Sequence, residues 1–503
     1  MQGIPCVGIW GTFDVENYGD HLFVRVAGHE LSRRLGSVEL RAFSPYGWLH
    51  PTRLDSGNPA EALGPWGRAR LVEMAAELHC VLVGGGEIIH TRDELLAPAY
   101  GVDALDVARI EPSRWFIEGL GPDLERTTPV VWHAVGVPFD PTAQEAERFR
   151  AALASRDYIA VRDERSRARL VQAGVANEIT VVPDSALLLT RVLSDEVLDR
   201  RLAFLRRMGW YPSDGEALVV QGNRDMLRFV PEIATALDEI LTRHTNVQPV
   251  LIETGVCHGD GDLADALEAA LSRQVWRLPP EVGVEDIAAA ISRSAAFVGS
   301  SLHGCITALA FSRPFVVLNF DASSKLDGFV DLVDREGAVA RNPREVVAAL
   351  ARGLSQGSAS GRATRLQRHV DDHFDRVADI VEASWARRTR ADEGGPASRH
   401  TAGRLEAELR SLRSAHEAQT LRVRAERLRL ADHMQEVQEE LLAHRAAGAD
   451  LQAALEVSNA AAGEAQARAS ALQRELRLLR NTRTFRYLAA PRRAYSRLRR
   501  FWT

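Results

Sequence analysis

Five short segments of this 503-residue chain place glycines, hydroxyls, carboxylates, cations and an imidazole at the ends of apolar runs. The most pointed is Phe297-Val298-Gly299-Ser300-Ser301-Leu302-His303-Gly304. A histidine follows an apolar run there, among hydroxyls and glycines, where a helix opens. A neutral imidazole in that place is a candidate general acid or base near pH 7. The alternative is a structural histidine at a capped helix start. Downstream, Asp321-Ala322-Ser323-Ser324-Lys325 follows the run Phe315 to Leu318. Lys325 is either a point charge for a phosphate or an ordinary surface lysine.

Three further segments lie upstream. Arg162, in Val161-Arg162-Asp163-Glu164-Arg165-Ser166, ends an apolar run, and Pro183-Asp184 follows the next one. A guanidinium so placed can hold a carboxylate or phosphate by two parallel hydrogen bonds, or pair with Asp163 or Asp184. Gly84-Gly85-Gly86-Glu87 exposes consecutive amides that can cradle an anion, or makes a tight turn. It is no Walker loop, because no Gly-Lys-Ser/Thr follows. The stretch from Gly11 to Asp20 contains Asn17-Tyr18-Gly19-Asp20. Its glycines admit close backbone approach, and Asn17 and Asp20 can cap a helix whose N-terminus favours an anion. A structural turn with a cap explains that pattern equally well.

The elements that must position these groups are legible as short apolar strands alternating with helical patterns. Val7 to Trp10, Val81 to Val83, Val130 to Val135, Tyr158 to Val161 and Ile179 to Val182 read as strands. A helix is expected from about Asp20 to Leu35. The texture repeats with Ala217 to Val220, Pro249 to Ile252, Ala296 to Val298 and Phe315 to Leu318, and with helices at Val284 to Ser292 and Cys305 to Phe311. Continuous apolar strands with glycines at their ends indicate parallel sheets. The expected fold is therefore α/β, with two Rossmann-like domains, residues 1–190 and 191–388, and a cleft between them. Ligands in such folds sit beyond the C-terminal strand ends.

Composition narrows the function classes. A net charge of -6 argues against a globally basic nucleic-acid binder. The four cysteines show no CxxC pair and no zinc spacing, so free thiols in a reducing compartment are expected. No apolar run reaches the roughly 18 to 20 residues of a spanning helix, and the start of the chain lacks a basic leader pattern. The expected location is the cytoplasm, at most on the inner face of the plasma membrane.

Together and in this order, the segments resemble the polysaccharide pyruvyl transferase family over about residues 5–350. Asn17-Tyr18-Gly19-Asp20, Gly84 to Gly86, Arg162-Asp163-Glu164-Arg165-Ser166, Pro183-Asp184, Ser300-Ser301-Leu302-His303 and Ser323-Ser324-Lys325 carry the resemblance. It implies a GT-B-like arrangement and transfer of pyruvate from phosphoenolpyruvate, as a ketal, to a sugar of a cell-surface glycan, free or lipid-linked. It implies His303 as the acid/base residue. Substrate contacts are implied for Asn17, Gly19, Asp20, Gly85, Gly86, Arg162, Asp184, Ser300, Ser301, Ser324 and Lys325, with no metal and no cofactor. One position departs: the family's arginine two residues before the histidine is Ser301 here, and Arg293 or Arg313 would have to compensate. The competing readings are a GT-B glycosyltransferase using a nucleotide-sugar, with Asp321 or Asp327 on the ribose, and a catalytically degenerate scaffold in a glycan-assembly complex.

The C-terminal region lies outside the resemblance. A polar linker, 389–403, precedes an Ala/Leu/Glu/Arg-rich stretch, 404–480, with apolar residues at alternating spacings of three and four, including Leu430, Met434, Val437, Leu441, Leu451, Leu455, Leu472, Leu476 and Leu479. That pattern predicts a coiled coil and a homo-oligomer, with a solvated helix or a partly disordered tail as the alternative. Residues 481–503 interleave arginines with aromatics, which suits an anionic membrane surface, with RNA binding or plain disorder as the alternative.

Overall fold

The structure, a computed structural model, describes residues 4–47, 60–333, 338–355 and 360–393, and a few isolated positions beyond. The predicted coiled coil and basic segment lie outside the described residues.

Two parallel sheets organise the described chain. The first contains β1 (Cys6–Trp10), β2 (Glu39–Ser44), β3 (Glu61–Ala62), β4 (Cys80–Gly84), β5 (Val130–Val135), β6 (Ile159–Val161) and β7 (Ile179–Val181), in the order β3-β2-β1-β4-β5-β6-β7. The second contains β8 (Glu216–Val220), β9 (Val247–Leu251), β10 (Trp276–Arg277), β11 (Ala296–Gly299), β12 (Phe315–Leu318) and β13 (Val339–Ala340), in the order β10-β9-β8-β11-β12-β13. The central strands are buried on both faces, which is why they read as continuous apolar runs. In each sheet the strand order reverses once, between β1 and β4 and between β8 and β11. Loops at such switch points diverge and leave a crevice. The α/β class and the two parallel sheets agree with expectation. The sequence reading omitted β2, β3, β10 and β13.

The lobes meet around the start of the first helix, and Arg25–Glu285 and Arg165–Asp331 ion pairs join them elsewhere. Asn17 forms an antiparallel bridge with Gly255, and the Tyr18 amide donates to the Thr254 carbonyl at 2.7 Å. The Tyr18 hydroxyl meets Thr307 Oγ1 at 2.9 Å. Tyr18 and Leu22 belong to the same buried cluster as Val219, Phe297 and Leu302. The helix Tyr18–Leu35 thus starts inside the second lobe and ends on the first sheet.

The helix Ser360–Glu393 follows the second sheet in sequence but packs on the first. Its Val370, Phe374, Val377 and Val381 are buried among Val7, Ile9, Leu82 and Val131. It also runs to Glu393, into the segment read as linker. Glu30 is fully buried and faces Arg33, Arg34 and Arg191, which reach Asp371 on this helix. The three arginines offset the cost of burying that carboxylate and hold it below its ordinary range against burial.

Candidate active site

A cleft of about 440 Å³ opens where the two switch points face each other. The first lobe supplies the loops after β1 and β4, with Thr12, Asn17, Asp20, Gly86 and Glu87. The second supplies those after β8, β9 and β11, with Gln221, Asn223, Thr254, Asp260, Ser300, Ser301 and His303. Arg162 and Lys325 complete the wall.

His303 sits in the first turn of the helix Leu302–Ala310. Ser301 caps that helix by accepting from the Gly304 amide at 3.2 Å. The imidazole lies flat against the Gly19 backbone, where a Cβ on Gly19 would overlap Nδ1, Cγ and Cε1 of the ring. Phe23 meets it edge-on at 5.5 Å between centroids. Its Nε2 lies 3.3 Å from Asp184 Oδ2, at ion-pair distance but off the hydrogen-bond direction. Asp184 Oδ1 is fixed by the Ala186 amide at 2.9 Å.

Two carboxylates therefore bear on one imidazole, and their environments push them apart. Burial drives Asp20 up to about 6, although His303, Thr12 and Lys325 pull the other way and Asp184 adds to the rise. Burial also opposes ionisation of Asp184, but His303 and Arg162 outweigh it and hold that carboxyl below the ordinary range. Such divergence marks sites of proton transfer.

The cations differ in what they have left to offer. Arg162 is buried and already engaged, by Glu87 at 2.8 Å and Asp163 at 3.3 Å. Lys325 has no ion-pair partner among the described residues and lines both the cleft and a small adjoining cavity with Arg162 and Asp184. Asn319 holds the turn before it, accepting from the Ser323 amide at 2.7 Å.

Of the residues singled out in the sequence, Asn17, Asp20, Gly86, Arg162, Ser300, Ser301, His303 and Lys325 line the cleft. Gly19 lies against His303, and Asp184 lies beside it. Gly85 and Ser324 are not among the lining residues; a Cβ on Gly85 would face Phe13 and Phe23 instead. Asn17 uses its side chain to accept from the Gly19 amide at 3.0 Å, so the capping reading of that turn is correct. Arg293 pairs with Asp195 and Asp199, and Arg313 donates to the Ser292 carbonyl. Neither reaches the cleft, so neither restores the charge absent at Ser301. Asp321 and Asp327 are likewise engaged, by Arg228 and Arg341.

The sequence reading missed the braces. Gln221 is buried and donates to Asp260 Oδ2 at 2.8 Å while accepting from the Ser301 amide at 2.8 Å. Asp260 also accepts from the Thr254 and Gly255 amides. Three loops are thereby locked under the His303 helix. The available signal was a polar Gln-Gly-Asn directly after an apolar run.

Two parallel sheets whose switch points enclose an imidazole, two carboxylates and two cations make an α/β protein with a candidate active site between its lobes. A family model described as "Polysaccharide pyruvyl transferase" matches residues 17–321, and the chain belongs to that family and is a transferase. No curated protein matches the chain. Among solved structures, it is similar to a UDP-GlcNAc 2-epimerase from Neisseria meningitidis bound to UDP-GlcNAc, at 10% identity and a TM-score of 0.45, covering 76% of this chain and 100% of that one. It is similar to S. aureus MnaA with UDP at 12% identity and a TM-score of 0.45, covering 74% and 97%. A third is E. coli ADP-heptose lps heptosyltransferase II, at 14% identity and a TM-score of 0.37, covering 70% and 99%.

Proposed function

We propose that the cleft transfers pyruvate from phosphoenolpyruvate to two hydroxyls of a glycan sugar, closing a ketal. Protonation of the donor's methylene carbon makes C2 oxocarbenium-like. A sugar hydroxyl attacks C2 and gives up its proton. The C2–O bond to phosphate then breaks, and a second hydroxyl attacks C2 and loses its proton in turn. Of the two hydroxyl protons, one is balanced by the new methyl group and the other leaves with phosphate.

His303 is the group that trades these protons. Asp184, held ionised, stabilises the imidazolium formed when the ring accepts one. Lys325 faces the donor's phosphate or carboxylate, a role that Ser301 cannot take without a charge. The N-terminus of the Leu302–Ala310 helix adds a favourable field for that anion. Asn17, Gly86 and Ser300 line the same cleft.

The observation that carries this reading is the placement of His303, with Asp184 at 3.3 Å, in one cleft with Lys325. The experiment is phosphate release from phosphoenolpyruvate by the full-length protein, with methyl hexopyranosides as acceptors. The wild type releases phosphate, and His303→Ala remains folded by circular dichroism but loses turnover by about 10²-fold or more. Consumption of a nucleotide-sugar with phosphoenolpyruvate untouched supports the glycosyltransferase reading instead.

A further inference from the structure

Behind the cleft, four buried or half-buried polar side chains form a line along the first sheet. The Tyr158 hydroxyl meets His373 Nδ1 at 2.8 Å. His373 Nε2 meets His133 Nδ1 at 2.7 Å. His133 Nε2 meets Ser185 Oγ at 3.2 Å. Ser185 directly follows Asp184, the carboxylate beside His303. Phe23 stands edge-on to both imidazoles, 6.3 Å from His133 and 5.5 Å from His303. Gly84 leaves room for the line, since a Cβ there would fall 2.9 Å from His133 Cδ2.

A close N···N contact between two rings holds one proton. Burial pushes His133 down to about 4 and His373 well below its ordinary value, so both rings are neutral. The line then has two proton arrangements, running toward Ser185 or toward Tyr158. The ionised Asp184 carboxylate selects the first, because donated protons then point at the negative charge.

We propose that His373, on a helix outside the matched segment 17–321, is a positioning residue that acts through His133 and Ser185 to fix the Asp184 carboxylate against His303. Its catalytic consequence rests on the pyruvyl transfer reading, but the positioning itself does not. The Ser360–Glu393 helix is on this view a working part of the site, although it contributes none of the residues lining the cleft.

The test uses the full chain and compares His373→Phe with His373→Gln. Phenylalanine keeps the bulk and removes both hydrogen bonds. Glutamine restores an N–H where Nε2 donated. With phosphoenolpyruvate and methyl hexopyranosides, His373→Phe is expected to lower kcat by about 10- to 100-fold with KM for phosphoenolpyruvate within about twofold. His373→Gln is expected to recover most of that loss. In protein carrying 13C-labelled histidine, the His303 resonance, assigned by its loss in His303→Gln, shifts in His373→Phe and returns in His373→Gln. If His373→Phe leaves kcat and the resonance unchanged, or glutamine does no better than phenylalanine, the proposal is overturned. Should His373→Phe fail to fold, His373→Asn takes its place, and equal behaviour of Asn and Gln overturns it. If the wild type releases no phosphate from phosphoenolpyruvate, the pyruvyl reading fails, and the His303 resonance alone decides the positioning role.

Discussion

Gly19→Ala probes the contact between lobes at the heart of the site. Gly19 is in the first turn of the Tyr18–Leu35 helix, with no positive φ, so alanine there would ordinarily gain about 1 kcal/mol of helix propensity. Here the new methyl falls on the His303 ring. Non-bonded atoms settle roughly 3.5–4.0 Å apart, so the imidazole must retreat by about 2 Å. A misplacement of about 1 Å costs on the order of 10²-fold in rate, or about 2.7 kcal/mol of barrier. The overlap also costs about 1–3 kcal/mol of packing, which cancels or exceeds the helix gain. Gly28→Ala is the control on the same helix, where the added Cβ meets only Leu40 Cδ2 at an ordinary 3.5 Å. Phosphate release and thermal unfolding are measured on both. Gly28→Ala keeps full activity and melts at or above the wild-type temperature. Gly19→Ala loses about 10²-fold in kcat and gains no stability. Equal activity and equal stabilisation in the two variants would refute the inferred packing of His303 on Gly19.

Further outcomes follow from the charges. Asp20 titrates near 6 against an ordinary value of 3.8, so its contribution to stability is full below about 3.8 and is lost as pH rises through 6. Asp20→Asn should therefore raise stability at pH 8 by about 3 kcal/mol and by nothing near pH 4, as denaturant melts at the two pH values will report. In the wild type, activity should rise to a plateau above about pH 6 as Asp20 ionises beside His303, and pH–rate profiles should lose that limb in the Asn variant. Lys325→Met should raise KM for phosphoenolpyruvate by about 10- to 100-fold, the worth of one charge-assisted contact, in steady-state kinetics. Glu30→Ala should destabilise the protein by about 3 kcal/mol in chemical denaturation, because it leaves three arginines facing each other without their buried partner.

What the sequence made legible, and what it did not, follows from where each signal lives. Central strands such as β4 and β5 are buried on both faces, so their apolar runs are unbroken and their limits came out within a residue or two. The edge strands β3, β10 and β13 span two residues each, and β2 carries three half-buried or exposed positions at its start. Such strands have no periodicity to read. His303 was legible because a strand end, hydroxyls and glycines surround it in sequence. Asp184 was legible only through family resemblance, since its meaning lies in a neighbour 119 positions away. His133 and His373 sit in apolar or helical stretches 240 positions apart, and nothing local distinguishes them from structural histidines. Gly84 to Gly86 read equally as an anion cradle or a tight turn; Gly84 makes room for His133, Gly85 and Gly86 turn the chain at φ of 100° and 77°, and Gly86 also lines the cleft. The return of the Ser360–Glu393 helix to the first sheet is a choice of partner, which helical periodicity does not encode.

Deuterium incorporation at the donor carbon decides whether His303 drives protonation of phosphoenolpyruvate. Full-length protein, phosphoenolpyruvate and a methyl hexopyranoside are incubated in D2O and followed by 1H and 31P NMR. The wild type is expected to give free phosphate in step with a ketal methyl carrying one deuterium, and His303→Asn neither. Undiminished product from His303→Asn, or phosphoenolpyruvate left intact by the wild type while a nucleotide-sugar is consumed, would contradict that role of His303.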